Sequence, residues 1–217
     1  NYGEKKTNHN NYNSGITSLD LSGLTSLTEL DVRGLTGLKT LNISGCTNLT
    51  DEKIIGLDTC IALTELNVSG CTNISELNLN NNNKLEAVNL NGCTALTSFM
   101  MCDGTKQYFL SDIDLTGCTK LETLKINSTM NLKSIDLSDV SKLKTIDLGG
   151  CQAITGTLDV SNKTNLTTVT MGGLDEVTTL NVTGCKNLAS INTSACSQLA
   201  TIEGLDDCSA IKTLVLN

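Results

Sequence analysis

The sequence repeats itself every eleven residues over most of its length. Three copies show the pattern: LTELDVRGLTG from Leu27, LKTLNISGCTN from Leu38 and LTELNVSGCTN from Leu63. The copies approximate the form LxxLxLxGCxN, in which apolar residues at positions four and six are separated by a polar one. This alternation predicts a short β-strand, and the Gly and small polar residues after it predict a turn. An α-helix and a coiled coil need other spacings of apolar residues and do not fit.

The repeated motif resembles the leucine-rich repeats, specifically the nested bacterial type in which two similar half-repeats form one coil of about 22 residues. The resemblance covers residues 16–217, or about eighteen half-repeats. It implies a right-handed, β-rich solenoid of about nine coils with little helix. Most members of the family place helices on the convex side, whereas here the second half-repeat predicts another strand. With parallel strands about 4.8 Å apart on both faces, we expect a nearly straight rod.

Four half-repeats depart from eleven residues: two have fourteen (49–62 and 96–109) and two have twelve (154–165 and 199–210). In the first of these, Thr50 or Asp51 is a candidate cap for a short helical turn. Residues 1–15 lack the pattern and are predicted to be a flexible leader or an N-terminal cap, separate from the solenoid at 16–217.

Composition excludes several classes of protein. The protein has a formal net charge of −8 and therefore lacks the basic surface that binding to a phosphate backbone requires. No nucleic-acid partner is predicted. No run of eighteen apolar residues occurs, so no transmembrane segment is predicted. Aromatic residues make up only 2% of the chain, which means that Leu, Ile and Val must form the core.

The ten cysteines form no CxxC pair and have no spacing typical of a zinc site. Counting half-repeats places four of them at one corner of successive coils: Cys46, Cys71, Cys93 and Cys118. At about 4.8 Å apart their side chains would point in parallel rather than toward each other. We therefore predict structural, buried thiols that act as small hydrophobes, with neither disulfides nor a metal. The family resemblance likewise implies that this position points inward.

No constellation of residues predicts catalysis. The single histidine, His9, lies in the irregular leader, and no glycine-rich phosphate-binding motif is present. Neighbouring carboxylates such as Asp112 and Asp114 are interpreted as a solvated acidic surface. The sequence therefore predicts neither an enzyme nor a cofactor.

The exposed residue at position five forms an acidic column on the odd-numbered half-repeats, which includes Asp114, Asp136 and Asp159. One interpretation is a soluble face that limits aggregation. The other is a weak site for Ca²⁺ or for sugar hydroxyls. The sequence leaves both interpretations open.

The scarcest residues are concentrated in one half-repeat. Both Phe residues and the only Tyr beyond the leader fall within 96–109. The repeat frame directs Phe99 and Met101 inward and leaves Met100 exposed. Because aromatic and Met side chains are enriched at interface cores, this half-repeat and its neighbours predict a docking patch formed by Met100, Lys106, Tyr108, Asn78 and Lys125. The alternative is that the aromatic residues only fill a wider coil.

These observations together predict a non-catalytic binding module of a bacterial cell-surface or secreted protein, with a protein or glycan partner and a role in adhesion. The insertions at 49–62 and 96–109 favour it over the alternative, a structural spacer without a ligand. An enzyme is a distant third. The last strand, around Leu214–Leu216, has no polar cap, so truncation, a separate cap or end-to-end self-association through this strand is expected.

Overall fold

A computed structural model describes residues 15–102 and 108–216 of the 217-residue chain. They form a parallel β-solenoid of nine coils, which begin at residues 16, 38, 63, 85, 110, 132, 154, 177 and 199. We number these coils 1 to 9. The prediction of nine coils with strands on two faces and little helix is confirmed. The predicted leader, except Gly15, lies outside the described residues.

Each coil carries a first half-repeat on one face of the solenoid, the odd face, and a second half-repeat on the other, the even face. The strands of the odd face are β1 (Ser18–Asp20), β3 (Thr40–Asn42), β5 (Glu65–Asn67), β7 (Ala87–Asn89), β9 (Asp112–Asp114), β12 (Thr155–Asp159), β14 (Glu176–Asn181) and β16 (Thr201–Glu203). Those of the even face are β2 (Leu30–Asp31), β4 (Ile54–Ile55), β6 (Glu76–Asn78), β8 (Ser98–Met101), β10 (Thr123–Ile126), β11 (Thr145–Asp147), β13 (Thr168–Thr170), β15 (Ser190–Thr193) and β17 (Thr213–Leu216).

Helix is limited, in the described residues, to three short 3-10 turns: Asp51–Lys53, Leu57–Thr59 and Leu205–Asp207. The first is the turn that the sequence predicted in the first fourteen-residue half-repeat, and its N-cap is Thr50, without a side-chain hydrogen bond. No helix in the described ranges is long and apolar enough to cross a bilayer.

The ladder of parallel strands is interrupted once on each face. On the odd face it runs from β1 to β9 and resumes from β12 to β16, so that residues 134–137 of coil 6 pair with neither side. On the even face, β2 pairs with β4, and a separate sheet runs from β6 to β17. Each face is therefore made of two sheets.

Charged side chains bridge the coils where the ladder is missing. Between β4 and β6, Asp51 Oδ1 accepts a hydrogen bond from the Ser75 backbone N–H at 2.8 Å. Before the unpaired segment, Asp139 Oδ2 accepts one from the Gly117 N–H at 2.7 Å. After it, Lys163 Nζ donates to the Leu137 carbonyl oxygen at 2.8 Å. Side chains thus replace main-chain hydrogen bonds at these three junctions.

The core is a stack of aliphatic rungs. In coil 2, for example, Leu38, Leu41, Ile43 and Cys46 occupy positions one, four, six and nine and are at most 2% exposed. Each fully buried aliphatic side chain contributes about 1.5–3 kcal/mol relative to its exposed state. Since the same positions are buried in neighbouring coils, the rungs pack into one continuous core.

All ten cysteines are described, and none of them forms a disulfide. Nine are buried, and Cys102 is half-buried. The thiol at position nine donates to the carbonyl oxygen of position six in the preceding coil, as from Cys71 Sγ to Ile43 O at 3.1 Å and from Cys118 Sγ to Leu90 O at 3.3 Å. Burial raises the pKa of the Cys71 and Cys118 thiols to about 11. These cysteines therefore act as neutral core residues that also donate a hydrogen bond.

Candidate binding surfaces

A shallow groove runs across β3, β5, β7 and β9 on the odd face, with a volume of about 350 Å³. At position three, Ala87 lies in register between Glu65 and Asp112, so a small side chain separates two carboxylates. Asp114 adds a third carboxylate, and neither Lys nor Arg lines the groove. We call this surface the acidic groove.

The position-five side chains of both faces are fixed by the backbone. In twelve described half-repeats, the Oδ1 of an Asp or Asn at this position accepts a hydrogen bond from the N–H two residues later, at 2.8–3.1 Å. Such Asx turns favour the tight change of direction at the end of each strand. This ladder of Asx turns gives the predicted acidic column a structural role that the sequence analysis did not include.

The three aspartates of the acidic column lie in different settings. Asp114 ends β9, Asp136 lies in the unpaired segment 134–137, and Asp159 ends β12. Hydrogen bonds from the Thr116 side chain and backbone lower the pKa of Asp114, and those from Ser138 lower the pKa of Asp136. In the part of the chain that the structure describes, no three His, Cys, Asp or Glu side chains are grouped to hold a metal ion.

The predicted docking patch is brought together only in part. Asn78, Met100 and Lys125 are direct register neighbours on β6, β8 and β10 of the even face. Asn78 is exposed, and Met100 and Lys125 are half-buried. Lys106 lies outside the described residues. We call the three remaining residues the even-face patch.

The placement of Tyr108 in this patch was wrong. Its side chain is fully buried, and its hydroxyl donates to the Asn80 carbonyl oxygen at 3.0 Å. The extra residues of this half-repeat thus place the Tyr108 ring inside the coil, where it cannot contact a partner. Phe109, which the sequence analysis did not select, is 45% exposed instead. Since Tyr108 forms a β-bridge with Thr129, Phe109 takes the position equivalent to that of Met130, which is 43% exposed.

A second cavity, of about 380 Å³, lies between coils 6 and 7 on the odd face. It is lined by Ile135, Asp136, Leu137, Ser138, Asp159, Ser161, Asn162 and Lys163. Lys163 occupies position nine, which is Cys in many other coils, and it is only 5% exposed. Burial lowers the pKa of its ammonium group. Sequence reasoning missed this lysine, although its replacement of the repeat cysteine was a visible signal.

No family model and no curated protein matches the sequence. Among solved structures, the chain is similar to the functional domain of InlJ from Listeria monocytogenes, which includes a cysteine ladder, with 24% identity, a TM-score of 0.46 and coverage of 94% of this chain and 54% of that one. It is also similar to the internalin InlF from Listeria monocytogenes strain 4b F2365, with 16% identity, a TM-score of 0.39 and coverage of 92% and 86%. The leucine-rich repeat domain of the type III effector XopL shares 16% identity, with a TM-score of 0.37 and coverage of 73% and 70%.

The chain spans about half the length of the InlJ domain. These likenesses concern the fold, which the strand ladders of this chain define directly. The strands β3, β5 and β7 pair in register at intervals of 25 and 22 residues, and each carries the apolar–polar–apolar alternation of the repeat. The chain is a parallel β-solenoid with a period of about 22 residues, a fold of the kind found in these leucine-rich repeat structures.

Proposed function

We propose that this chain is a non-catalytic binding module that takes an extended, basic segment of a protein partner in the acidic groove. The observation that carries the proposal is the pair of exposed carboxylates, Glu65 and Asp112, on either side of Ala87. Neither carboxylate has a hydrogen bond or ion pair to another described residue. Both are therefore available to a partner.

The shape of the groove supports an extended ligand. It crosses four parallel strands, a distance of about 14 Å at 4.8 Å per strand spacing, and it is open along its length. Its floor includes Leu41, Leu66 and Val88, whose side chains are almost fully buried, and its accessible lining is somewhat more apolar than polar, with the carboxylates at its edge. Carboxylates without neighbouring cations attract basic groups and raise association rates.

The ionisation of three aspartates at position five of the odd face, of which Asp114 lines the acidic groove, favours hydrogen-bond acceptance over acid catalysis. Hydrogen bonds from the residue two positions later (Ser22, Thr116 and Ser138) lower the pKa values of Asp20, Asp114 and Asp136. A general acid at neutral pH needs the opposite shift. These aspartates are therefore suited to accept hydrogen bonds and not to donate protons.

The wider proposal places this module in a bacterial cell-surface or secreted protein with a role in adhesion. The resemblance of the repeat to the nested bacterial leucine-rich repeats supports it. A second candidate surface is the even-face patch, where Met100 is an apolar residue between polar register neighbours, Asn78 and Lys125.

The test is binding of a decalysine peptide, measured by fluorescence anisotropy at low and moderate salt. The double variant Glu65→Gln/Asp112→Asn should weaken binding by about tenfold, as expected for the loss of two charged contacts. The matched control, Glu52→Gln/Glu76→Gln, makes the same change in net charge on the even face and should bind like the native protein. Equal affinity of the two double variants would contradict the groove and favour the structural spacer.

A further inference from the structure

The cavity between coils 6 and 7 is a consequence of the missing ladder on the odd face. Residues 134–137 pair neither with β9 nor with β12, whereas β10, β11 and β13 pair without interruption on the even face. The two coils are therefore held together on one side and opened on the other. The opening is the cavity of about 380 Å³ described above, which we call the Lys163 cleft.

Lys163 supplies fixed hydrogen-bond donors to this cleft. Its side chain is only 5% exposed, and its Nζ is held by the Leu137 carbonyl oxygen at 2.8 Å. An ammonium group has three N–H donors, and Leu137 is its one acceptor among the described residues. A buried donor without an acceptor is destabilising, so the remaining N–H groups favour a ligand that brings acceptors.

Two carboxylates supply fixed acceptors beside this ammonium group. Asp136 and Asp159 each use Oδ1 to accept a backbone hydrogen bond, from Ser138 and Ser161, at 2.9 and 2.8 Å. The Asp136 carboxylate also accepts a hydrogen bond from the Ser138 hydroxyl, whereas Asp159 Oδ2 accepts none from a described residue. Because the Asx turns fix both carboxylates in place, a ligand loses little affinity to side-chain ordering.

The combination of charges selects the class of ligand. An anion would be repelled by Asp136 and Asp159, and a metal cation or an amine, although attracted by these carboxylates, would have to approach the buried ammonium group of Lys163. A neutral polyol avoids both penalties, because each hydroxyl group can accept from the ammonium and donate to a carboxylate. The hydroxyls of Ser138 and Ser161 add groups that do both.

We propose that the Lys163 cleft binds one pyranose unit of a glycan through Lys163, Asp136, Asp159, Ser138 and Ser161. This site is separate from the acidic groove and does not depend on the function proposed for it. Since no aromatic side chain lines the cleft, a single sugar binds with a dissociation constant in the millimolar range. A glycan with several such units gains affinity only if it reaches other surfaces as well.

The test is a titration of the ¹⁵N-labelled protein with the methyl pyranosides of glucose, galactose and mannose, followed by two-dimensional NMR. At least one glycoside should cause saturable shifts in the amide signals of Ser138, Ser161 and Lys163. Lys163→Cys, which restores the residue common at this position, should weaken binding by about tenfold, as the loss of a charged hydrogen bond predicts.

A second pair of variants separates the effect of the cleft side chains from the effect of the same substitutions elsewhere in the solenoid. Ser138→Ala/Ser161→Ala removes two side chains at position seven that line the cleft, and it should also weaken binding. The matched control, Ser44→Ala/Ser69→Ala, makes the same change at position seven of coils 2 and 3 and should leave binding unchanged. The proposal is overturned if no glycoside shifts these amide signals, or if the control weakens binding as much as the cleft variant. Saturable shifts with sodium sulfate or calcium chloride in place of the glycosides would also overturn it.

Discussion

Cys93 Sγ donates a hydrogen bond to the Val68 carbonyl oxygen, 3.1 Å away in the preceding coil. The thiol therefore belongs to the connection between coils as well as to the core. Burial raises its pKa to about 12, and the same cause raises the pKa of Cys151 to about 12 and that of Cys60 to about 11. The native structure thus stabilises the protonated form of each of these side chains.

The first prediction is that alkaline pH destabilises the protein. Unfolded thiols ionise near pH 9.0, whereas native Cys93 keeps its proton to about pH 12. The native state therefore binds more protons in this range, and the free energy of unfolding falls as pH rises above about 9, by up to about 1.4 kcal/mol per pH unit for each thiol. Below pH 9 this contribution is fully present.

Urea unfolding at a series of pH values measures this effect. The variant Cys93→Val, which has one titrating thiol fewer, should show a shallower decrease in the free energy of unfolding with pH. A free energy that stays constant well above pH 9 would show that the thiols do not govern alkaline stability.

The second prediction concerns the reactivity of the thiols. Because Cys102 is half-buried and the other nine are buried, iodoacetamide should modify Cys102 first in the native protein. Mass spectrometry should show all ten cysteines modified after denaturation, and Cys102→Ser should remove the early adduct. Four or more cysteines that react only after reduction would show disulfides instead.

The third prediction tests the ladder of Asx turns at Asp136. Asn can accept the same hydrogen bond from the Ser138 N–H, so Asp136→Asn should leave the melting temperature unchanged or slightly higher at low salt. Asp136→Ala removes the acceptor and should cost about 0.5–1 kcal/mol. If Asn destabilises as much as Ala, and calcium restores only the native protein, Asp136 is a metal ligand.

The fourth prediction separates Tyr108 from Met100. Tyr108→Ser leaves a large cavity in the core and should destabilise the protein by about 3–5 kcal/mol, whereas Tyr108→Phe should cost about 1 kcal/mol through the lost hydrogen bond to Asn80. Met100→Ser changes a half-buried surface residue and should shift the melting temperature much less. Equal losses for Met100→Ser and Tyr108→Ser would mean that Met100 belongs to the core and not to the even-face patch.

The fifth prediction compares two glycines with the same positive φ, Gly23 and Gly204, each at +73°. An added Cβ at Gly23 meets no atom within 4 Å, so Gly23→Ala should cost only the backbone strain of about 1 kcal/mol. At Gly204 the Cβ would overlap the Thr183 backbone. Gly204→Ala should therefore destabilise the protein clearly more in chemical denaturation, and equal effects would contradict the close approach of coils 8 and 9.

The repeat period predicts most of the fold because each half-repeat has the same pattern of apolar residues followed by turn residues. An apolar–polar–apolar alternation and a following glycine or Asx turn are enough to place β3, β5 and β7 in register. The unpaired segment 134–137 could not be predicted this way, since LKSIDLSDVSK matches the apolar pattern well. Asp139 at the glycine position and Val140 at the cysteine position depart from the repeat, but the neighbouring half-repeats 121–131 and 154–165 also lack the Gly-Cys pair and still form strands.

The candidate sites were harder to predict than the fold, because they depend on side chains that break the repeat. The extra residues of 96–109 have no equivalent in the frame, so the frame could not show that Tyr108 turns inward. The acidic column was recognised as an exposed row of charges. The hydrogen bonds from the backbone to Asp114 and Asp136 could be recognised only from the turn geometry in the structure.

The two interruptions of the strand ladder lie at different coils along the solenoid, so the interruption on one face is covered by continuous pairing on the other. The even face lacks pairing between coils 2 and 3, where β3 and β5 still pair on the odd face. The odd face lacks strand pairing on both sides of coil 6. At the same coils the even-face strands β10, β11 and β13 pair without interruption. Every boundary between described coils is thus spanned by main-chain strand pairing on at least one face. A pulling force along the solenoid axis therefore meets no boundary at which both faces lack main-chain hydrogen bonds.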